Sequence, residues 1–292
     1  MRCYRLLRGM ASSNPDDLAE IHRRYNRNSE GCWAQFAEHR ALLTGLARQA
    51  GGQRLLVLGA GNCNDLDLPA LAGAYSEIHL ADVDEEALGR ARDRQPPEVQ
   101  KVLTLHAPLD LSGALPRLRE FHQERPTAAQ IAVLPGNIVD HVTMSIRGTF
   151  DTVMSTCMLS QLMHGARVAM GDHPDLELVA TALALGHLRA MVRLVRPGGH
   201  GIFASDTCSS EMYPALEERW RQFSPLAVLT RLEETENLLS GTRPSMVFEA
   251  LTADGVIAPQ LAKAPQLIEP WLWRMGQLVL LVYAVVFQKR EN

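Results

Sequence analysis

The chain has 292 residues, 46% of them hydrophobic, which is enough to bury a sizeable core in one large α/β domain or two small ones. The formal net charge of −4 gives no reason to expect a nucleic acid as a partner. The apolar run LVLLVYAVVF near the C-terminus is far shorter than the ~20 residues that span a bilayer, so we expect no membrane association.

The cysteines and the N-terminus indicate the compartment. Five cysteines form an odd set without a CxxC pair, which argues against a disulfide framework or a zinc ribbon. Because the N-terminus has no apolar signal-peptide core, we expect a cytoplasmic protein. The first nine residues precede a more ordinary start at Met10 and read as a mis-assigned start or a flexible extension.

Helices are predicted at the beginning of the chain. Ser12, Ser13 or Asn14 can provide an N-cap, and apolar residues recur at helical spacing between residues 15 and 50. After Gly51 and Gly52, strands alternate with helices, and we predict strands at about 54–58, 77–81, 101–105, 150–155 and 200–204. This alternation predicts a parallel sheet.

The remaining segments predict how the sheet is covered and closed. A helix over about residues 175–195 ends at the sequence RPGG, and residues 211–268 lack a strand–helix rhythm. We therefore divide the chain into four parts. These are an N-terminal helical lid over 1–50, a core over 51–210, a substrate-capping insertion over 211–268 and closing strands of the core over 269–292.

A glycine loop follows the first predicted strand. Gly59 and Gly61 suit a backbone that presses against a nucleoside-like ligand. A dinucleotide fingerprint would place a third glycine where Asn64 stands, and the acidic Asp65 follows it. Because a carboxylate repels a pyrophosphate, this loop favours a ligand without phosphate.

Four segments in order resemble the class I S-adenosylmethionine-dependent methyltransferases. LLVLGAGNCND is similar to their glycine-rich motif, IHLADVDEEALGRAR to their second strand, FDTVMSTCMLSQL to their fourth and LVRPGGHGIFASD to their fifth. The resemblance implies a three-layer Rossmann-like α/β fold, with a mostly parallel seven-stranded sheet and a late antiparallel strand. It also implies S-adenosyl-L-methionine as cofactor and S-adenosyl-L-homocysteine as product.

The resemblance and the strand ends together predict the cofactor contacts. Asp82, at the end of its strand, is expected to accept hydrogen bonds from both ribose hydroxyls, whereas Asp84 is better suited to cap the next helix. Val57 stands where the family commonly has an acid, so Asn64 or Asp65 would replace that contact. The predicted cofactor-binding residues are Gly59, Ala60, Gly61, Asn64, Asp65, Asp82, Val83, Leu109, Asp110 and Ser155.

The acceptor site is predicted less directly. His164 is the candidate general base and Tyr25, in the predicted lid, the second candidate catalytic residue. Their alternative roles are an exposed loop histidine and a helix-packing aromatic. The predicted substrate contacts are Trp33, Met163, Tyr213 and Arg243, although core packing or a surface turn would also account for these residues.

Three cysteines could form a metal site, but their spacing disfavours it. Cys63, Cys157 and Cys208 all follow predicted strands, and thiolates there could bind zinc beside His164. Their spacing resembles no known zinc site, and cysteine is often only a small buried side chain, so we predict no metal.

The function expected from these features is methyl transfer to an N or O atom of a small-molecule or peptide-like acceptor, with neither nucleic acid nor membrane as a partner. Two alternatives stay open. One is a propylamine transferase of the spermidine-synthase kind, and the other is a non-catalytic cofactor-binding or scaffold subunit. A nicotinamide dehydrogenase is disfavoured because Asn64 replaces the third glycine. The sequence does not predict the oligomeric state.

Overall fold

A computed structural model describes residues 18–239 and 241–291, apart from the side chain of His122. The predicted caps Ser12, Ser13 and Asn14 and the first nine residues lie outside the described residues. Seven strands form one sheet in the order β3-β2-β1-β4-β5-β7-β6. The strands are β1 Arg54–Leu58, β2 Glu77–Ala81, β3 Leu103–His106, β4 Phe150–Thr156, β5 Val195–Ser209, β6 Gln266–Met275 and β7 Leu278–Gln288.

The fold prediction is confirmed. Strands β1 to β5 are parallel, and β7 runs antiparallel to both of its neighbours, β5 and β6. The predicted bounds agree for β1 and β2, whereas β3 begins two residues later than predicted. Strand β5 begins five residues earlier than predicted, at Val195, because the backbone of the RPGG segment already lies in the strand.

Helices cover both faces of the sheet. They are α1 Leu18–Ser29, α2 Ala37–Ala50, α3 Leu68–Ala72, α4 Glu85–Asp93, α5 Pro97–Gln100, α6 Leu115–Gln123, α7 Ala128–Ser145, α8 Met158–Met170, α9 Leu176–Leu194, α10 Leu216–Gln222, α11 Pro225–Glu234 and α12 Pro244–Ala253. Short 3₁₀ turns span Trp33–Phe36 and Ala258–Gln260. None of the described helices is both long enough and apolar enough to cross a membrane.

The core lies in two layers, one on each side of the sheet. Leu56 and Leu58 of β1 pack with the layer that contains α8 and α9, and Leu55 and Val57 pack with the layer that contains α2 and α3. All four side chains are fully buried, which explains why β1 reads as a continuous apolar run. The segment 211–268 is mostly helical, and the division of the chain into four parts stays a prediction.

Polar side chains fix where the helices begin. Asp84 accepts a hydrogen bond from the Ala87 N–H, which confirms its predicted role as the N-cap of α4. Thr127 forms a capping box with Gln130 at the start of α7. These caps place the helix ends against the loops that follow the strands.

Asp151 joins three strands at the opposite, amino-terminal edge of the sheet. Its carboxylate accepts hydrogen bonds from the backbone N–H groups of Gln53 and Arg54, at 3.0 and 2.8 Å, and from the Arg196 guanidinium. Burial opposes ionisation of Asp151, but the Arg54 N–H and the Arg196 charge outweigh it and hold the pKa below its ordinary value.

We expect Asp151→Asn to lower the free energy of unfolding at pH 7 by about 1 kcal/mol, because the amide replaces a charge-assisted acceptor. A lowered folded-state pKa stabilises the protein above the unfolded pKa, and this contribution is lost as the pH falls through the folded pKa. Urea denaturation should therefore show a deficit at pH 7 that shrinks at pH 3. Asp93→Asn, at an exposed site, is the control, and an equal effect of both variants at pH 7 would contradict the assignment.

Candidate functional site

The strand order reverses beside β1. Strands β2 and β3 lie on one side of it, and β4 and β5 lie on the other. In an open α/β sheet such a point forms a crevice at the carboxyl ends of the strands, and ligands bind there. The loops that follow β1, β2 and β4 therefore define the candidate site.

Asp82 is the central residue of this site. Its side chain is 8% exposed, and its carboxylate accepts hydrogen bonds from the backbone N–H groups of Gly61 at 2.8 Å and Asp84 at 2.9 Å. Burial raises the pKa of Asp82, against the effect of these two N–H groups. The carboxylate thus fixes the glycine loop to the end of β2, and each oxygen retains acceptor capacity for a ligand.

A recess opens beside Asp82. The predicted residues Val83, Leu109 and Asp110 line it. The others that line it are His22, Leu111, Leu115, Met158, Gln161 and Leu162, which the strand-end argument missed because most of them belong to helices or to the loop after Asp110. Apolar side chains with a few polar groups at one end are typical of a small-molecule pocket.

The predicted adenine contacts have local roles as well. The Leu109 N–H donates to the Asp82 carbonyl at 2.9 Å, which holds the loop after β3 against the end of β2. One Asp110 oxygen accepts from the Ser112 N–H and hydroxyl, and the other accepts from the Leu115 N–H. Asp110 therefore stabilises its own turn. Its oxygens can accept hydrogen bonds from a ligand only in addition to those that hold the turn.

The two loop glycines make room for neighbouring helices. Gly61 has a φ of +46°, and a Cβ there would lie 2.5 Å from Asn26 Oδ1 of α1. A Cβ on Gly59 would lie 2.8 Å from Met158 Sδ of α8. Ala60, between them, donates its N–H to the Ala81 carbonyl at 3.1 Å. Both glycines thus lie tight against α1 and α8, and the close approach of this loop to a nucleoside-like ligand stays a prediction.

Helix α1 is attached to the glycine loop by several hydrogen bonds. The Asn62 amide donates to the Asn26 carbonyl at 2.6 Å, and the Asn64 amide donates to the Ser29 carbonyl at 2.7 Å. Asn26 in turn donates to the Asp84 carboxylate at 3.1 Å. The predicted lid therefore lies directly on the predicted cofactor loop, and the Asn64 amide group serves the lid.

At the position where the resembled family commonly has an acid, this chain has Val57, and Asp65 is the remaining candidate to replace that acid. Val57 is fully buried and apolar, so it offers no contact to a ligand. Burial raises the pKa of Asp65 to about 6, opposed by the nearby Thr156 hydroxyl and reinforced by the charge of Asp82. A carboxylate in such surroundings gains most from a cationic partner.

The two candidate catalytic residues lie together. The rings of Tyr25 and His164 meet edge to face with centroids 6.1 Å apart. Burial lowers the pKa of His164 to about 4, so its imidazole is neutral at pH 7, and its Nε2 is buried without a hydrogen-bond partner among the described residues. Neutral His164 can accept a hydrogen bond, but its low pKa makes it a weak base.

His22 completes this group from one turn earlier on α1. It is 6% exposed, and its Nδ1 lies 3.2 Å from Gln161 Oε1 of α8. Residues three apart on a helix share a face, so His22 and Tyr25 both face α8. The three-residue spacing from Tyr25 is the one signal in the sequence that could have pointed to His22.

Other predicted residues have partners away from the recess. The Ser155 hydroxyl lies 2.8 Å from His187 Nε2 inside the core, so we leave Ser155 out of the proposed contacts. Trp33 is 43% exposed and lies beneath the Arg40 guanidinium. Arg243 is on the surface, where it pairs with Glu236 at 3.8 Å.

Met163 and Tyr213 take part in the core. A Cβ on Gly241 would lie 2.3 Å from Met163 Sδ, so this buried methionine packs on the loop before α12. Tyr213 is half-buried against the same hydrophobic cluster. Their predicted contact with a substrate stays a prediction.

The three cysteines that were candidates for a metal site lie in the interior of the protein. Cys63, Cys157 and Cys208 are buried free thiols, and burial raises the pKa of each. Within the part of the chain that the structure describes, no group of three or more His, Cys, Asp or Glu side chains is placed to hold a metal ion.

Comparisons with known proteins give low-similarity structural matches. No protein-family model and no curated protein matches the chain. An O-methyltransferase family protein from Burkholderia thailandensis is 13% identical with a TM-score of 0.48, over 99% of this chain and 68% of that chain. An rRNA methylase from Streptococcus thermophilus is 11% identical with a TM-score of 0.41, over 86% and 95%. The N-methyltransferase NodS from Bradyrhizobium japonicum is 16% identical with a TM-score of 0.39, over 90% and 99%. At these values the matches carry no argument about activity or acceptor.

We expect Gly61→Ala to destabilise the protein by about 1–3 kcal/mol in the absence of any ligand, because the Cβ meets Asn26 and the backbone is left-handed. Gly89→Ala is the matched control, since its Cβ would meet nothing within 4 Å. It lies in α4, where alanine is the better helix former. Urea denaturation of both variants decides the question, and equal stabilities would show that Gly61 is not held against α1.

Proposed function

We propose that the chain is a class I S-adenosylmethionine-dependent methyltransferase acting on an N or O atom of a small-molecule or peptide-like acceptor. The observation that carries this proposal is the placement of Asp82. It is a buried carboxylate at the end of β2, held by the glycine loop and facing a recess where the strand order reverses. The observed order of strands, with its late antiparallel strand, is the fold that the sequence motifs imply.

The residues around the recess fit the chemistry of this cofactor. Asp82 would accept from the two ribose hydroxyls, and the apolar Val83, Leu109 and Leu111 would cover the flat base. Asp65 would face the ammonium of the methionine end. When bound, S-adenosylmethionine supplies a methyl group on a positively charged sulfur, which a nucleophile can attack without a metal or a redox centre.

The chain itself would contribute positioning and exclusion of water. Helix α1 lies on the glycine loop through Asn26 and Ser29, brings His22 to the wall of the recess and places Tyr25 against His164. Orientation and desolvation suffice for an in-line transfer, so a strong catalytic base is not needed. This agrees with the weak basicity of His164.

The alternative functions have less support. A propylamine transferase needs an acidic motif after the fourth strand, where this chain has Cys157 and Met158. A non-catalytic cofactor-binding or scaffold subunit with a degraded pocket is disfavoured by the retained Gly59, Gly61 and Asp82 and by the hydrogen bond from Gly61 to Asp82. The net charge of −4 and the carboxylates near the recess would repel a phosphate backbone, so we keep small-molecule or peptide-like acceptors.

We expect Asp82→Ala to weaken S-adenosylhomocysteine binding by roughly 2–4 kcal/mol, because two charge-assisted hydrogen bonds to the ribose are lost. Isothermal titration calorimetry measures this loss. Asp82→Asn keeps an acceptor in place for the loop and should fall between the wild type and the alanine variant. An unchanged dissociation constant in folded Asp82→Ala would remove this residue from the site, and absence of binding by the wild-type protein would refute the proposed function.

We further expect S-adenosylhomocysteine to slow amide hydrogen exchange between residues 19 and 38, because α1 must stay on the glycine loop while the ligand is bound. Tyr25→Phe keeps the ring and should cost about 1 kcal/mol or less of cofactor affinity. Exchange in α9, which packs against α7, β4 and β5 in the core, serves as the internal reference. Identical exchange of residues 19–38 with and without the ligand would contradict a lid role for α1.

A further inference from the structure

Three carboxylates from different parts of the chain surround the candidate site. Asp82 ends β2, Asp65 follows β1, and Asp206 lies in β5. Many protein atoms lie around Asp65 and Asp206. Part of the surface of each residue nevertheless stays accessible to solvent. Asp206 adjoins the recess through Ser160, whose neighbours Gln161 and Leu162 on α8 line it.

Among the described residues these carboxylates have no ion-pair partner, although the charge of His22 acts on Asp82. No Lys, Arg or His forms an ion pair with Asp65, Asp82 or Asp206 within residues 18–239 and 241–291. The charge of Arg40 reaches Asp65, but its guanidinium donates to the carbonyls of Trp33 and Asn64 instead. Burying several carboxylates without partners is costly, which favours a cationic ligand in the cleft.

Two unpartnered polar atoms point to the same conclusion. The Thr156 hydroxyl is 2% exposed and makes no hydrogen bond of ordinary geometry among the described residues, although it lies close enough to Asp65 to lower the pKa of that carboxyl. Nε2 of neutral His164 is also buried and unpartnered in the described chain. Buried polar atoms are normally satisfied, so these two indicate a polar ligand, and each can accept a hydrogen bond from an ammonium group.

The carboxylates separate into two groups. Asp65 lies near enough to Asp82 for their charges to interact, so both belong to the cofactor side of the cleft. Asp206 interacts with Tyr25 and accepts a hydrogen bond from the Ser160 hydroxyl at 2.6 Å, whereas Cys157 is within reach of the charges of both Asp206 and Asp65. Tyr25 also contacts the ring of His164, so Asp206 and His164 both lie around Tyr25.

We propose that the methyl acceptor is a cationic amine whose ammonium group binds the Asp206 carboxylate. This inference rests on the proposed function, because it assigns Asp82 and Asp65 to the cofactor and leaves Asp206 for the acceptor. Ser160 is a positioning residue in this arrangement, since its hydroxyl orients one Asp206 oxygen. A neutral alcohol or a carboxylic acid would leave the Asp206 charge unpaired.

The chemistry of such an acceptor balances. Before transfer, the ammonium gives one proton to the Asp206 carboxylate, which becomes a neutral acid. The nitrogen lone pair then forms the new N–C bond as the donor's C–S bond breaks, and the electron pair of that bond stays on sulfur. The products are an N-methyl ammonium ion and a neutral thioether, so one positive charge enters the transfer step and one leaves it.

The test uses the full chain saturated with S-adenosylhomocysteine in an amine-free phosphate buffer. The probes are n-butylammonium, n-butanol and butyrate, which share one alkyl chain and differ in the head group, and NMR chemical shifts follow their binding. We expect n-butylammonium to bind at least tenfold more tightly than the other two. Asp206→Asn should remove that preference while leaving S-adenosylhomocysteine affinity within about twofold of the wild type.

Two further variants complete the experiment. Asp172→Asn removes the same charge from an exposed position and should keep the preference for n-butylammonium. Asp206→Glu retains the charge and should restore part of the preference if Asp206→Asn folds poorly. Equal binding of the three probes, or tight n-butylammonium binding by Asp206→Asn, would overturn the amine assignment. Failure of the wild type to bind S-adenosylhomocysteine would instead overturn the proposed function, so the two failures are distinguishable.

Discussion

The site depends on the hydrogen bonds that the Asp82 carboxylate accepts from Gly61 and Asp84. A buried carboxylate is tolerated only when its oxygens are satisfied, and these two N–H groups come from the loops after β1 and β2. The same carboxylate therefore determines where the glycine loop lies. Because α1 is attached to that loop through Asn26, the position of the lid also follows from this one interaction.

Burial shapes the electrostatics around this interaction. The pKa values of Asp65, Asp82 and Asp206 are all raised, and desolvation is the largest cause for each. Raised pKa values mean that the folded protein holds these charges at a cost, which a bound cation would offset. A sulfonium cofactor with an ammonium group, and an amine acceptor beside it, would both have this effect.

Burial has a different effect on His164, whose charge it removes. His164 is neutral at pH 7 because desolvation disfavours the imidazolium form, and it is therefore suited to accept a hydrogen bond. Since alkyl transfer from sulfur gains most from orientation and exclusion of water, a site of this kind needs well-placed acceptors more than a strong base. The packing of α1 against α8 through His22 and Gln161 provides that placement.

The sequence by itself determined the sheet and its glycine loop, because local patterns encode them. The apolar run of β1, the Asp84 cap and the end of α9 before RPGG each follow from neighbouring residues. Only the tertiary structure decided which side chains meet at the site. His22 and Gln161 are 139 residues apart, and strand alternation turns Ser155 toward His187 in the core. Such contacts depend on how helices dock on the sheet, which no local spacing specifies.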